Sequence, residues 1–307
     1  MRKIVLDMVY ELAKKDKRIV YIGSDLGAGL LDNFKKEMPD RFFMEGVSEQ
    51  ALIGMSAGLA LEGKIVYFNT IATFITRRCF EQVVLDLCLH HANVRLIANG
   101  GGVVYAPLGP THLAIDDIGI LRTIPNMTII APCDADEMKR LMPQTVNYQG
   151  PIYIRLAKGG DTVISSDKHE CTIGKAIVLK EYDTSDALLI GTGITTKLCL
   201  DAAEQLEKDN IKTTVIHMHT IKPLDTETII SHAKKAKSVI VIEEHTTVNG
   251  LGSAVAELLM DVGISVKFKK IGFPDIFPEG YGSQAQVMGK YNITAEECIR
   301  TIREFQC

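Results

Sequence analysis

The feature that most constrains the fold of this chain is a repeated alternation of short apolar runs with longer amphipathic stretches. Helical patterns are clearest at residues 51–61 and 80–90. The strand-sized runs of the first half lie at residues 18–22, 64–68, 94–98, 127–131 and 152–156. Because strands that alternate with helices are typical of parallel sheets, we expect an α/β architecture.

The alternation stops in the middle of the chain and then begins again. A more polar stretch with turn signals separates the two halves. In the second half, strand patterns at 187–191, 212–217 and 238–242 alternate with helical patterns at 197–208, 226–235 and 251–262. We therefore predict two successive doubly wound domains with mainly parallel sheets. Their expected bounds are residues 1–160, a linker at 161–185, and residues 186–307.

Composition excludes several classes of protein. Hydrophobic residues make up 46% of the chain and charged residues 23%, an ordinary balance for a globular protein. The net charge of -4 and the absence of a basic run argue against a nucleic-acid partner. No apolar stretch approaches the roughly 20 residues of a membrane span. Asp7 and Glu11 interrupt what would be a signal peptide and favour an amphipathic helix, so we expect a cytoplasmic location.

The cysteine and histidine spacings do not predict a metal site. The seven cysteines are scattered, without a Cys-x-x-Cys pair, and are interpreted as reduced structural thiols. His217 and His219 would share one face of a strand, but no third ligand is apparent nearby in the sequence. We therefore expect a structural role for both. The glycines at 100–102 lack dinucleotide-binding spacing, and no P-loop is present.

Glu49 lies where a carboxylate can be either functional or structural. It begins a helix of small residues that includes Gly54 and Gly58. A glycine inside a helix costs about 1 kcal/mol relative to alanine, which makes sense where another element approaches closely. From the spacing alone, Glu49 is either a functional carboxylate or a first-turn acid that interacts with the helix dipole.

Two loops carry side chains suited to ligand binding. His112 ends a Gly-Pro-Thr-His sequence that follows a predicted strand, and open α/β sheets bind ligands at such positions. Phe74, Arg77 and Arg78 belong to an aromatic and basic loop that can stack on a ring and meet an anion. A solvated histidine and ordinary packing are the structural alternatives.

In this order, the three motifs resemble the pyrimidine-binding domain of the transketolase family. The similarity continues through residues 121–134 and, in the second half, through 218–225 and 243–257. It covers nearly the whole chain. The resemblance implies a pyrimidine-binding domain followed by the family's C-terminal domain.

The resemblance also implies thiamine diphosphate as cofactor. Glu49 would hydrogen-bond the pyrimidine nitrogen N1′, favouring the imino form that takes the proton from the thiazolium carbon C2. We expect an apolar setting for this carboxyl, because desolvation helps it share a proton with the ring. Phe74 would stack on the pyrimidine and His112 would face the reacting carbon. Arg77 and Arg78 would contact the coenzyme.

The same resemblance implies a partner subunit. In this family a separate domain holds the diphosphate and its divalent metal through a Gly-Asp-Gly stretch followed by an asparagine, and this sequence lacks that stretch. We expect an N-terminal transketolase subunit to supply it together with Mg²⁺. Two copies of each chain, an α2β2 complex, would give the simplest closed assembly.

The positions that would bind the sugar substrate differ from the family pattern. Counted without gaps from His112, they are occupied by Arg2, Asp25, Gly29, Gly100, Leu108 and Lys158. Gly100 and Leu108 stand where a histidine and an aspartate are expected. Gly29 replaces a serine, and Lys158 replaces an arginine. Losing a hydroxyl and a guanidinium weakens a phosphate site, which favours a sulfonated ketose or another unusual sugar unless other residues restore the contacts.

Three alternatives share parts of this pattern. The β subunit of a 2-oxo acid dehydrogenase has the same architecture and the glutamate. Deoxyxylulose phosphate synthase shares the motifs, usually in one uninterrupted chain. A non-catalytic interaction subunit would not need Glu49, Phe74 and His112 together. The Gly-Pro-Thr-His loop and the Ile-Lys-Pro-Leu-Asp stretch favour a transketolase.

Overall fold

The computed structural model describes residues 1–26, 29–157 and 159–306. Within these ranges the strands form one sheet of seven and one of five, both mainly parallel, with helices packed against them. The predicted fold class, two successive doubly wound α/β sheets, is therefore confirmed. No helix in these ranges is long and apolar enough to cross a membrane.

The strands define the two sheets. In chain order they are β1 (Ile19–Gly23), β2 (Phe42–Met44), β3 (Ile65–Ile71), β4 (Val94–Asn99), β5 (Thr128–Ile130), β6 (Ile152–Leu156), β7 (Ile177–Lys180), β8 (Ala187–Gly191), β9 (Thr213–His217), β10 (Thr220–Lys222), β11 (Ser238–Thr246) and β12 (Lys267–Phe273). The larger sheet has the order β10-β5-β6-β4-β3-β1-β2, and the smaller has the order β12-β11-β8-β9-β7. In both, one edge strand is antiparallel to its neighbour: β10 pairs with β5, and β7 with β9.

The helices connect these strands. They are α1 (Arg2–Lys15), α2 (Asp32–Glu37), α3 (Glu49–Leu61), α4 (Phe80–Gln82), α5 (Asp117–Arg122), α6 (Ala135–Asn147), α7 (Thr195–Lys208), α8 (Thr226–Ala233), α9 (Leu251–Asp261), α10 (Gln284–Lys290) and α11 (Ala295–Gln306). Wide π-helical turns flank α4, at Phe74–Arg78 and Val83–Leu89. The single helix expected at 80–90 is therefore a short α-helix that continues as a π-helix.

Burial explains why the central strands could be found from the sequence. β1, β3, β4 and β6 are buried along their whole lengths. Strands covered on both faces appear as continuous apolar runs. Because these four strands are parallel, their carboxyl ends lie at one edge of the sheet. The segments that follow them carry the predicted site residues except Glu49, which follows β2, and Arg2, which lies in α1.

Four strands, β2, β7, β10 and β12, lie where the sequence predicted none. β7 falls inside the expected linker and joins the smaller sheet, so that segment has regular structure. β10 belongs to the second half of the chain but pairs with β5 of the larger sheet. The bounds 1–160, 161–185 and 186–307 remain a prediction. The six cysteines within the described ranges are free thiols.

A buried polar network connects the two sheets. Arg155 in β6 donates to Asp117 Oδ2 through Nε (2.7 Å) and to the carbonyls of Ala114 (3.0 Å) and Glu244 (2.9 Å) through Nη2. The Tyr153 hydroxyl donates to the same Asp117 oxygen at 2.7 Å. Because Glu244 belongs to β11 of the smaller sheet, the network fixes that strand against the end of β6.

Glu244 makes this network sensitive to pH. Its Oε1 accepts hydrogen bonds from the Val103 N–H (2.7 Å) and from Gln284 Nε2 (2.8 Å). Burial raises the pKa of Glu244 to about 7. As pH rises from about 5 to 7, the unfolded chain loses this proton before the folded chain does. This carboxyl therefore lowers the free energy of unfolding as pH rises through that window.

We predict that Glu244→Gln removes this pH-dependent loss of stability. The free energy of unfolding of the variant minus that of the native chain should be larger at pH 8 than at pH 5, by about 1–3 kcal/mol at about 1.4 kcal/mol per pKa unit. Urea unfolding at the two pH values measures the difference, and the exposed Glu204→Gln serves as control. An equal difference at both pH values would contradict the prediction.

Candidate active site

Glu49 is the first residue of α3, and its side chain is only 2% exposed. A carboxylate in the first turn of a helix is stabilised by the unpaired N–H groups and the dipole there. Its setting is not the apolar one expected from the sequence. Arg78 Nη1 donates to Glu49 Oε2 at 2.7 Å, so the buried carboxylate has a cationic partner that is itself 41% exposed.

Phe74 and Arg78 lie in the π-helical turn after β3 and pack on each other. The Arg78 guanidinium carbon is 4.0 Å from the centroid of the Phe74 ring, a cation–π contact. The π-helical turn widens the backbone spacing and brings both side chains toward Glu49. One guanidinium thus contacts both the predicted stacking ring and the predicted catalytic carboxylate.

His112 joins this group from the loop after β4. It ends a single 3-10 turn, Pro110–His112, and its ring centroid lies 5.4 Å from that of Phe74 in an edge-on arrangement. Its Nδ1 is 2.9 Å from the Thr111 hydroxyl. The structure therefore brings Glu49, Phe74, Arg78 and His112 together at one edge of the larger sheet.

Arg77 points away from Glu49 and toward the histidine loop. Its guanidinium donates to the Leu113 carbonyl, and its Nε lies 3.5 Å from Asp116 Oδ2. These contacts anchor the backbone just after His112. The family resemblance implied a coenzyme contact for both Arg77 and Arg78, but in the structure their side chains have different partners.

A cavity of about 320 Å³ lies at the segment that follows β4. Three of the predicted substrate residues, Arg2, Gly100 and Leu108, line it. Its full described lining is Arg2, Asn99, Gly100, Val104, Tyr105, Pro107, Leu108 and Ala157. Asp25 and Gly29 are exposed and are not among these lining residues. Lys158 lies outside the described residues.

Two polar residues that line this cavity, Asn99 and Tyr105, were not predicted from the sequence. Asn99 donates to Asn69 Oδ1 (2.6 Å) and to the Thr70 carbonyl (3.0 Å), and its own Oδ1 is buried without a partner among the described residues. Tyr105 packs on Gly100, where a Cβ atom would overlap the ring. A strand-end asparagine and a loop tyrosine carry no distinctive spacing, so no sequence signal singled them out.

The structure corrects the expectation that His217 and His219 have no third ligand nearby. Cys133, Glu137 and His217 form one set of ligand-type atoms that all lie within 4.8 Å of one another. Glu137, Cys171 and His219 form a second. The two sets draw on three distant segments of the chain, around Cys133–Glu137, Cys171 and His217–His219, so local spacing could not reveal the cluster.

The chain belongs to the transketolase family. The domain described as "Transketolase, pyrimidine binding domain" matches residues 1–160, and "Transketolase, C-terminal domain" matches residues 174–298. The family resemblance inferred from the motifs is therefore confirmed.

Similar proteins include two transketolase subunits. The 6-deoxy-6-sulfo-D-fructose transketolase subunit of Clostridium sp. strain MSTE9 is 35% identical over 99% of this chain and 94% of its own length. An apulose-4-phosphate transketolase subunit of Phocaeicola vulgatus is 36% identical over 99% of this chain and 96% of its own. A solved split-gene transketolase, described as an inactive beta4 tetramer, superposes with a TM-score of 0.90 at 32% identity, over 99% of this chain and 97% of that one.

We predict that Gly100→Ala destabilises the fold through contact with Tyr105. Gly100 has a φ of +77°, and Gly63 has a φ of +83° with open space where a Cβ atom would lie. Gly63→Ala therefore isolates the backbone strain. Overlap with the ring should make Gly100→Ala about 1–3 kcal/mol more destabilising than the control. Chemical denaturation measures both variants, and equal losses would show that Tyr105 does not fill this space.

Proposed function

We propose that this chain is the coenzyme-activating subunit of a split, thiamine-diphosphate-dependent transketolase, a transferase that moves a two-carbon ketol unit from a ketose to an aldose. The observation that carries the proposal is the meeting of Glu49, Phe74 and His112 at one edge of the larger sheet. A non-catalytic subunit would not require a buried carboxylate, a stacking ring and a loop imidazole around one point.

The position of Arg78 supports a pyrimidine site here. Its flat guanidinium donates to Glu49 and lies over the Phe74 ring. A bound aminopyrimidine would need these same partners, a carboxylate for its ring nitrogen and an aromatic face for stacking. The residues therefore fit the pyrimidine half of the coenzyme, provided that Arg78 moves aside. Its 41% exposure leaves it room to do so.

Each residue of the site has a distinct proposed role. Glu49 would bind the pyrimidine nitrogen and share a proton with it, and Phe74 would orient the ring by stacking. His112 would exchange a proton with a substrate oxygen. Arg77 would act as a positioning residue, because it holds the loop that carries His112. When bound, thiamine diphosphate supplies the carbon nucleophile that carries the two-carbon unit.

A partner subunit is proposed to complete the site. The sequence contains no Gly-Asp-Gly stretch to hold the diphosphate and Mg²⁺. Two similar proteins are described as transketolase subunits, and the solved split-gene relative is described as an inactive beta4 tetramer. These descriptions support an α2β2 complex in which an N-terminal subunit contributes the diphosphate and metal site.

The cavity lined by Arg2 is the proposed site for the substrate's anionic tail. Among its described lining residues Arg2 is the cation, while Asn99 and Tyr105 add polar groups. One guanidinium matches a monoanionic sulfonate better than a dianionic phosphate. The names of two relatives include a sulfonated sugar and a phosphorylated sugar, which supports a substrate with an anionic tail.

We predict that the purified chain alone binds thiamine diphosphate poorly and is inactive. The most charged part of the coenzyme has no partner in this sequence, whereas the complex with the N-terminal subunit should bind it in the presence of Mg²⁺. Calorimetric titration of each preparation checks this. Micromolar, magnesium-dependent binding by this chain alone would contradict the split site.

We predict that Glu49→Gln in the reconstituted complex lowers turnover by about 10²–10⁴-fold, because the amide cannot share a proton with the ring. In the coenzyme-free chain the amide oxygen can still accept the hydrogen bond from Arg78, so the melting temperature of the free subunit should change little. Hydrogen–deuterium exchange at the coenzyme's C2 reports the role directly. The exposed Glu45→Gln, in the preceding loop, is the matched control. An unchanged exchange rate in Glu49→Gln would exclude the role.

We predict that the complex prefers a sulfonated ketose donor to xylulose 5-phosphate, with ribose 5-phosphate among the acceptors tested. Steady-state kcat/KM values for the two donors measure the preference. Pyruvate serves as a third donor, since its use would favour a 2-oxo acid dehydrogenase. The substrate assignment is wrong if the pentose phosphates reach about 10⁴ M⁻¹s⁻¹ or more while the sulfonated sugar is inert.

A further inference from the structure

A buried cluster of ligand-type side chains lies where three segments of the chain meet. Glu137 belongs to α6, Cys171 to the segment before β7, and His219 to the turn between β9 and β10. One carboxylate oxygen, the Cys171 Sγ and a ring nitrogen of His219 all lie within 4.8 Å of one another. Glu137 and His219 are completely buried, and Cys171 is half-buried.

Two atoms of this cluster have unused hydrogen-bonding capacity. Glu137 Oε1 and His219 Nε2 are buried and have no hydrogen-bond partner in the described ranges. Leaving such groups unpaired costs about 1–3 kcal/mol each. The Glu137 and His219 side chains form one set of ligand-type groups with the Cys171 thiol. Their geometry therefore indicates a ligand that accepts electron pairs from oxygen, nitrogen and sulfur.

The protonation of His219 suits metal binding. The Thr220 hydroxyl oxygen accepts from the Gly174 N–H (3.0 Å) and lies 2.9 Å from His219 Nδ1. It can thus accept the Nδ1 proton, which leaves a lone pair on Nε2.

Glu137 is held in place by its other oxygen. Its Oε2 accepts from the Cys133 N–H (2.6 Å) and pairs with His217 Nε2 (2.9 Å), and His217 Nδ1 is 2.6 Å from the Thr196 hydroxyl. Supporting hydrogen bonds of this kind orient metal ligands in proteins.

We propose that Glu137, Cys171 and His219 bind a divalent cation of the zinc class. Zinc accepts mixed oxygen, nitrogen and sulfur ligands at about 2.0–2.3 Å, whereas Mg²⁺ and Ca²⁺ require mainly oxygen. Three protein ligands leave a fourth position for water. On binding, the Cys171 thiol releases its proton to solvent and its sulfur bonds the metal, without oxidation or reduction.

The surrounding charges are compatible with a cation. A Glu137 carboxylate and a Cys171 thiolate together balance two positive charges. The nearby Arg140 donates from Nη1 to the His169 carbonyl (2.9 Å), and its Nε lies 3.5 Å from Asp136 Oδ2. Its Nε and Nη2 have no hydrogen-bond partner among the described residues. Asp134 is occupied by backbone N–H groups, two of them from Ile164 and Ser165, and Asp225 by those of Ala176 and Thr228. Solvent can approach because Cys171 is only half-buried.

Titration of the metal-free, reduced full-length chain with Zn²⁺ tests the proposal. We expect one equivalent to bind with a Kd in the micromolar range or below and to raise the melting temperature. Cobalt(II) in place of zinc should give a thiolate-to-metal charge-transfer band. Cys171→Ser and His219→Asn should each weaken binding at least tenfold. The matched controls Cys88→Ala and His232→Asn should bind like the native chain.

The half-buried Cys171 allows a serine without disturbing the core. We expect metal-free Cys171→Ser to melt like the metal-free native chain but to lack the zinc-dependent rise. The proposal is overturned if no zinc binds, if Cys171→Ser and His219→Asn bind like the native chain, or if the cobalt complex lacks the thiolate band. None of these measurements depends on coenzyme or on the partner subunit, so the result stands apart from the transketolase assays.

Discussion

The buried ion pair between Arg155 and Asp117 holds the site and the two sheets in one arrangement. Breaking such a pair by removing one partner typically costs about 3–5 kcal/mol, because the other charge stays buried. Arg155 also binds the carbonyls of Ala114, at the end of the histidine loop, and of Glu244, in the smaller sheet. The position of His112 is therefore linked to the second half of the chain through one guanidinium.

The glycines at 100–102 are explained by the side chains that crowd them. A Cβ atom at Gly101 would overlap Arg155, and one at Gly102 would overlap Glu244. At Gly100 the neighbour is Tyr105. The three glycines, which lack dinucleotide-binding spacing, therefore let the backbone approach the buried network. At Gly100 the absence of a side chain leaves room for the Tyr105 ring.

Much of the fold follows from local sequence, and part of the site does not. Ile152–Leu156 and Ala187–Gly191 match their predicted bounds, because buried parallel strands are continuous apolar runs. β7 and β10 are short edge strands whose existence depends on distant pairing partners, so no local pattern marked them. Glu49, Phe74 and His112 were predicted through motifs. The Arg78 ion pair and the role of Asn99 depend on long-range contacts that a single sequence does not specify.

Arg78 makes occupation of the proposed pyrimidine site a competition. Any flat ring that enters must first separate the guanidinium from Glu49 and Phe74, so its measured affinity is the difference between two sets of contacts. The carboxylate is consequently never left buried without a partner while the site awaits its ligand. The same exchange slows association, since entry of the ring has to wait for the side chain to leave.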